Sequence, residues 1–528
     1  MPVLAAKAGW RAHLTLPQAR RSLPEEEMAE GAMRKVHVLA GAVLAALLLA
    51  ILGTTPPGPR GVDAPARDFS AGRAMADVRQ IASSPHPTGT AENARVRSYI
   101  AGRMATLGMD VFTQQGTVGP RGTAKFNRWT GRNDPPPVLT NVIGILPGTD
   151  RNLPAVVLMA HHDTVWASPG AADDTAGIAV SLEVVRALKA RGPQRRDLIV
   201  LATDAEELGL EGAKLFFAEH PLRAKIGAVI NMEARGGGGR TTLFETSRQN
   251  GEAVALYADA VARPGASSLS AYVYSVLPND TDLTPVLAGP YTAYNFAFIG
   301  RSGLYHSPMA TPERLDQGSL QDMGGQVLDL AAALLAAEAM PERTADTVFF
   351  DLFGLATVTY PAWLGWIMLA LGAGGCIAAL RAGALRAIGG GAGRMAGLVL
   401  GAGALITALN LISMGVGKPN YYDRLAAIPR LEAMALLGGI AAFLALFGAW
   451  RTSRAANAGA VLPLLVLALA AQSIAPTAAY VLVLPVMLAG LALAVAEARA
   501  ALWVQAAVAA LVTGYMLALG HQLMQGGG

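Results

Sequence analysis

Glu206 and Glu207 close the apolar run Asp197–Asp204, and the chain holds four more residues of metal-binding type: His161, Asp173, Glu233 and His306. Most of them follow a short hydrophobic stretch. Zinc takes imidazole and carboxylate ligands where thiolates are absent. The one cysteine, Cys376, lies in an apolar stretch and can form neither a Cys-based site nor a disulfide within the chain. A two-metal centre needs about two protein ligands per ion and a bridging carboxylate, with the ions roughly 3.5–4 Å apart. His161 and Glu233 could hold one zinc ion, Glu207 and His306 the other, with Asp173 as the bridge. Glu206 is then left over. A carboxylate beside the metals but not bound to them can take a proton from the bridging water and later deliver it to a leaving amine.

Three neighbours add to this set. Asp163, just after the His161-His162 pair, can accept the second imidazole N–H of His161 and fix its tautomer. Tyr305 could donate its phenolic proton to a developing oxyanion, or be an ordinary aromatic at a strand end. His162 points to the opposite face of an extended segment and reads as a packing residue. His86, flanked by Pro85 and Pro87, reads as architectural.

The elements that must position these side chains alternate between strand-like and helix-like runs. Strands are expected at Val138–Leu146, Ala155–Ala160, Leu198–Thr203, Ala228–Met232 and Ala293–Ile299, and helices at Asp173–Ala190, Leu208–His220 and Gln317–Ala337. Such alternation predicts an α/β domain with a mostly parallel central sheet flanked by helices. Ligands gather outside the carboxyl ends of strands in such sheets. A solvated loop accounts for any one of these polar residues, but poorly for four segments at once.

The chain of 528 residues is too long for one compact core, and its 15% of charged residues is well below the usual quarter. The shortage is uneven: 60–345 carries ordinary charge, whereas 355–528 is almost continuously apolar. Four regions are expected: a cytoplasmic tail (1–35), an N-terminal anchor (36–53), the 60–345 domain and a membrane domain with about six helices (355–528). The expected spans are Val36–Leu52 and about 359–380, 395–416, 431–450, 459–475, 478–496 and 500–520, with Pro476 able to join two of them as a hairpin. Met33-Arg34-Lys35 before the first run also resembles a signal sequence, but Ala50–Gly53 fits a cleavage pattern poorly, so an uncleaved anchor is favoured.

Arg20, Arg21, Arg34 and Lys35 place the N-terminus inside, and Arg381, Arg386, Arg394, Arg451, Arg454 and Arg499 agree with seven alternating spans. Lys418, Arg424 and Arg430 are a mild exception. The 60–345 domain then lies outside the cytoplasm, periplasmic in a bacterium or lumenal in a eukaryote. These cations sit beside apolar segments, so they read as topology signals, and no nucleic-acid surface is expected.

The pattern His161-x-Asp163, Gly170-Ala-Ala-Asp173-Asp174, Glu206-Glu207-Leu-Gly-Leu-Glu-Gly212, Asn231-Met-Glu233 and Tyr305-His306 resembles the co-catalytic di-zinc aminopeptidase family. The resemblance covers roughly 80–335 and is closest to the membrane branch that includes endoplasmic-reticulum metallopeptidase and vacuolar membrane protease. Pro278–Asp282 and Ala297–Gly300 also resemble that branch. The resemblance implies two zinc ions, a peptide substrate, Glu206 as base and Asp173 as bridge. After its last histidine the family usually has an Asp that His306-Ser-Pro-Met-Ala-Thr311 lacks, which implies looser support around His306.

A membrane-anchored zinc exopeptidase, most plausibly an aminopeptidase, is therefore expected, using a metal-activated water. A glutaminyl-cyclase-like transferase with one zinc is the alternative enzyme, and a non-catalytic peptide-binding membrane protein the alternative outside enzymes. The membrane half reads as an anchor or partner surface, since Asn410 and Gln472 are isolated polar residues. Loops 234–245 and 275–292 are expected to shape specificity. Gly236–Gly239 implies either a close backbone approach or a mobile loop.

Overall fold

The computed structural model describes residues 25–380, 385–414, 420–448, 453–495 and 501–526. From the N-terminus run α1 (Glu25–Thr54), α2 (Ala71–Ile81), α3 (Ala91–Thr106), β1 (Asp110–Thr117), α4 (Pro120–Thr130), β2 (Val138–Leu146), β3 (Ala155–His161), α5 (Thr175–Arg191) and β4 (Leu198–Thr203). There follow α6 (Glu211–Glu219), β5 (Ile226–Ala234), β6 (Gly238–Thr246), α7 (Gly251–Ala260), α8 (Ser268–Val276), α9 (Thr284–Leu287), β7 (Thr292–Gly300) and α10 (Gln317–Ala336). A hairpin of β8 (Thr347–Asp351) and β9 (Thr357–Pro361) leads into α11 (Leu364–Leu380), α12 (Leu385–Ser413), α13 (Tyr421–Phe447), α14 (Arg454–Ile474), α15 (Tyr480–Ala494) and α16 (Ala501–Gly526).

The seven-stranded sheet has the order β1-β2-β4-β3-β5-β7-β6. Its inner strands β4, β3, β5 and β7 are parallel, while β1, β2 and β6 are antiparallel to their neighbours, so the sheet is mixed. Both faces of β2 are buried, as they are in a parallel strand. Burial on both faces reports layers, however, and not direction. Every residue of β3 and β4 is buried. Their alternate side chains feed two cores: Val156, Leu158 and Val200 pack with α5 and α10, and Val157, Met159 and Leu201 with Phe216 of α6. The parallel arrangement sends four carboxyl ends to one edge of the domain.

Seven helices stand near the seven expected spans. Among the described residues five of them, in α1, α12, α13, α14 and α16, are long and apolar enough to cross a membrane, while α11 and α15 are shorter. The span expected at 359–380 begins at Leu364, because Thr357–Pro361 pairs with β8 instead. Pro476 lies in the turn between α14 and α15. Of the basic residues that suggested topology, Arg20, Arg21, Arg381, Lys418, Arg451 and Arg499 lie outside the described residues, as does the 1–24 part of the tail.

Small residues let these helices approach backbone to backbone, as is common where lipid removes the hydrophobic drive for association. A Cβ at Gly375 of α11 would lie 2.1 Å from the Gly490 carbonyl oxygen of α15, and one at Gly391 of α12 would lie 1.9 Å from that of Ala456 in α14. The two halves of the chain also meet directly. Tyr480 of α15 stacks on Phe350 of β8 with ring centroids 4.6 Å apart, and its hydroxyl is 3.0 Å from Ser267 Oγ.

Gly375→Leu is expected to lower the thermal stability of the detergent-solubilised chain by at least the roughly 1–3 kcal/mol typical of overpacking. No rotamer can relieve a clash with a backbone carbonyl. Gly374→Leu, whose Cβ meets nothing within 4 Å, is expected to melt like the parent. Equal melting temperatures for the two variants would refute this helix contact.

Candidate metal centre and substrate cavity

Each chemically competent side chain stands at or just beyond a parallel-strand end. His161 ends β3, Glu206 and Glu207 follow β4, Glu233 lies near the end of β5, and His306 follows β7 after a short turn. Asp173 sits at the start of α5, where Asp174 accepts the N–H of Gly177 as the helix cap. His306 has φ +55°, in the left-handed region, as does Ala205 (φ +60°) before the glutamate pair. The Ala205 turn is anchored by Asp204, whose carboxylate accepts the N–H groups of Thr140 (2.8 Å) and Ala205 (2.9 Å).

These residues converge. His161 Nε2 is 3.1 Å from Asp173 Oδ1 and 3.9 Å from Glu233 Oε2. His306 Nε2 is 3.0 Å from Asp173 Oδ2 and 2.8 Å from Glu207 Oε1. Two triads that could each hold a metal ion result, His161–Asp173–Glu233 and Asp173–Glu207–His306, and they share Asp173. His161, Glu206 and Glu207 form a third possible group. The donor set suits zinc. His306 Nε2 is buried and satisfies no hydrogen bond despite the two oxygens beside it, which fits a nitrogen lone pair aimed at a cation.

Asp163 meets His161 chiefly through its main chain. His161 Nδ1 faces the main-chain carbonyl of Asp163 at 2.9 Å, while the carboxylate oxygen is 3.6 Å away. That carboxylate instead accepts the main-chain N–H groups of Glu206 (3.0 Å) and Glu207 (3.2 Å). A two-residue offset along an extended segment puts the carbonyl nearer than the side chain, which is free to reach β4. Asn231 donates to Glu233 Oε1 at 3.2 Å and to Asn295 Oδ1 at 2.9 Å, fixing Glu233 on β5. His162 is buried between Asn93 and the Thr140 carbonyl, away from the triads. His86 also stays apart, and burial lowers it to about 4.

Electrostatically the cluster holds too much negative charge for its burial. Burial pushes Glu233 up to about 8, with Asp173 and Asp282 adding to the shift. Glu206 is raised well above the carboxylate range, first by burial and then by Glu207, Glu233 and Asp282, against the pull of His161. Asp173 goes the other way: burial would raise it, but the His161 and His306 imidazoles beside its two oxygens hold it well below the usual range. Both histidines are raised well above their ordinary value, as neighbouring carboxylates outweigh burial. A divalent cation would resolve this excess charge.

A cavity of about 370 Å³ opens on the cluster. Asp173, Glu206, Glu233 and Tyr305 line it, but Glu207 does not, so the adjacent glutamates stand in different surroundings. Phe244, Tyr274 and Leu277 give it an apolar wall drawn partly from the two loops expected to shape specificity. Close backbone approach explains the glycine run: a Cβ at Gly236 would lie 2.1 Å from the Gly300 carbonyl oxygen. Sequence reasoning missed three neighbours. Buried Asp282 pairs with Thr203, and burial raises it to about 6. Tyr421 and Tyr422 come from the start of α13, and nothing local marks a tyrosine beside an apolar helix as reaching this site.

Asp163→Ala is expected to leave two buried N–H groups without an acceptor, at about 1–3 kcal/mol for each that finds no water. Asp163→Asn keeps one acceptor oxygen and is expected to lose less. Chemical unfolding of both variants checks the order, and parent-like stability for Asp163→Ala would remove Asp163 from this role.

Residues 141–331 match the model of peptidase family M28. The chain is 34% identical to endoplasmic reticulum metallopeptidase 1 of Mus musculus over 238 residues, 44% of this chain and 26% of that protein. It is 30% identical to a vacuolar membrane protease of Schizophyllum commune over 322 residues, 59% of this chain and 34% of that protein. The match thus spans about a quarter to a third of these curated relatives. Among solved structures, an aminopeptidase from Aneurinibacillus sp. strain AM-1 superposes with a TM-score of 0.42 at 15% identity, over 54% of this chain and 98% of that one. Residues 141–331 are accordingly a peptidase family M28 domain, and five helices among the described residues are long and apolar enough to cross a membrane.

Proposed function

We propose that this chain is a membrane-anchored zinc metallopeptidase that removes residues from the amino terminus of peptides. His161 and Glu233 would hold one zinc ion and Glu207 and His306 the other, with Asp173 shared between the two sets. The sharing of Asp173 by two ligand triads carries this reading. When bound, the ions polarise the scissile carbonyl and acidify the attacking water. Glu206, which faces the cavity, takes that proton and passes it to the leaving amine. The Tyr305 hydroxyl donates to the oxyanion, and Asp163 holds the turn that presents Glu206. Carboxylates at the inner end of the cavity suit a substrate ammonium group.

The arginines support an external catalytic domain. Arg394 of α12 binds the Leu446 carbonyl at the far end of α13, whose near end meets the peptidase domain. Arg34 and Lys35 precede the apolar part of α1, whose other end leads into that domain. Arg34, Lys35 and Arg394, at helix ends remote from the site, support an inside N-terminus, against Arg424 and Arg430 near the start of α13.

Three outcomes are expected. Glu206→Gln in the full chain keeps two zinc ions by elemental analysis but loses about 10²–10⁴-fold in hydrolysis; full activity would remove Glu206 as base. Peptides with a free amino terminus are cleaved and their N-acetylated forms resist, the reverse pattern pointing to a carboxypeptidase. In chelator-treated protein, Glu233 binds its proton up to about pH 8 when folded but only to about 4.5 when unfolded, so the folded state holds more protons. Its contribution to stability is present below about pH 4.5 and lost as pH rises to about 8, and the raised Glu206, His161 and His306 act in the same direction. The melting temperature of the zinc-free chain is therefore expected to fall across this window and to recover on adding zinc. A flat profile without zinc would contradict the charge balance described above.

A further inference from the structure

The loop that carries His306 rests on the membrane helices. Ser302, in the turn after β7, has its hydroxyl 3.1 Å from the Gln525 carbonyl oxygen of α16 and 3.0 Å from its Oε1. A Cβ at neighbouring Gly303 would lie 3.0 Å from Ala426 Cα of α13. Tyr422, in the first turn of α13, has its hydroxyl 3.1 Å from His306 Nδ1. Asn420 caps that turn by accepting the Tyr422 N–H at 2.9 Å. On its other flank, the His306 ring stacks against Tyr305 with centroids 3.7 Å apart.

The other residues of the cluster are supported from within the α/β domain: His161 by the Asp163 carbonyl, Glu233 by Asn231, Glu206 and Glu207 by Asp163. For His306 the support comes from across the boundary. The family's usual Asp after this histidine is absent, and a tyrosine hydroxyl from a 27-residue apolar helix stands at the imidazole's free nitrogen.

We propose that Tyr422 is a positioning residue for His306, so that the membrane half completes the metal centre. This rests on the two-zinc reading above. With Nε2 toward the metal, Nδ1 carries the proton and donates it to the Tyr422 oxygen, which fixes tautomer and ring orientation. The same helix ends wall the cavity. Tyr421 of α13 and Leu523 and Gly526 of α16 line it, and Arg235 is held there by the Tyr421 hydroxyl (3.1 Å) and the Gly526 carbonyl. The bundle thereby contributes to both the metal site and the substrate space.

The test uses full-length protein in detergent or nanodiscs, with zinc affinity measured by chelator competition. Tyr422→Phe keeps the ring and removes the hydroxyl. It is expected to weaken one of the two zinc ions about 10–100-fold, leave the other unchanged, and regain activity at excess zinc. Tyr421→Phe, which loses a contact to Arg235 and none to His306, is expected to keep both zinc affinities. The zinc-free melting temperature of each variant guards against misfolding, and Tyr422→Leu serves as a second hydroxyl-free variant. Two zinc ions bound with parent affinity in both Tyr422 variants would overturn the proposal while leaving the two-zinc reading intact. A parent chain that binds no zinc would overturn both.

Discussion

Asp173 offers one carboxylate oxygen to His161 and the other to His306, and around it Glu206, Glu207 and Glu233 are gathered close enough to compete for the same positive charge. Burying several carboxylates without cations is among the more costly arrangements a fold can hold. Here protons and two raised histidines balance the charge, and a pair of zinc ions would do so with less strain on the group as a whole. The requirement explains much of the surrounding architecture. Asp163, Asp204 and Asn231 spend their hydrogen bonds on orienting the cluster, and the parallel core of the sheet brings four strand ends to one point.

The same requirement connects the two halves of the chain. An ion held partly by His306 depends on how firmly that ring is oriented, and the loop bearing it is seated on α13 and α16. A region that reads from composition as an anchor therefore also walls the cavity over the ligand cluster.

Much of this was legible in the sequence. The runs Ala155–Ala160 and Leu198–Thr203 mark buried strands within a residue of their ends, and the candidate ligands follow them at places where an α/β sheet assembles its sites. The resemblance to a di-zinc peptidase family pointed to the same residues. What stayed hidden depends on relations that no local pattern encodes. The antiparallel direction of β2 is set by pairing and not by its hydrophobicity. The exposed, polar strand β1 lacks the apolar run that marks the others. Asp163 bonds through its carbonyl to one partner and through its carboxylate to two, a division set by backbone geometry. Tyr422 lies 116 residues beyond His306, across five elements of a different character.

The most direct test of the central claim is the zinc anomalous signal from crystals of the full-length chain grown with zinc. Two peaks roughly 3.5–4 Å apart on either side of the Asp173 carboxylate, one beside His161 and Glu233 and the other beside Glu207 and His306, are the result this account predicts. A single peak, or a pair that leaves Asp173 unbound, would contradict it.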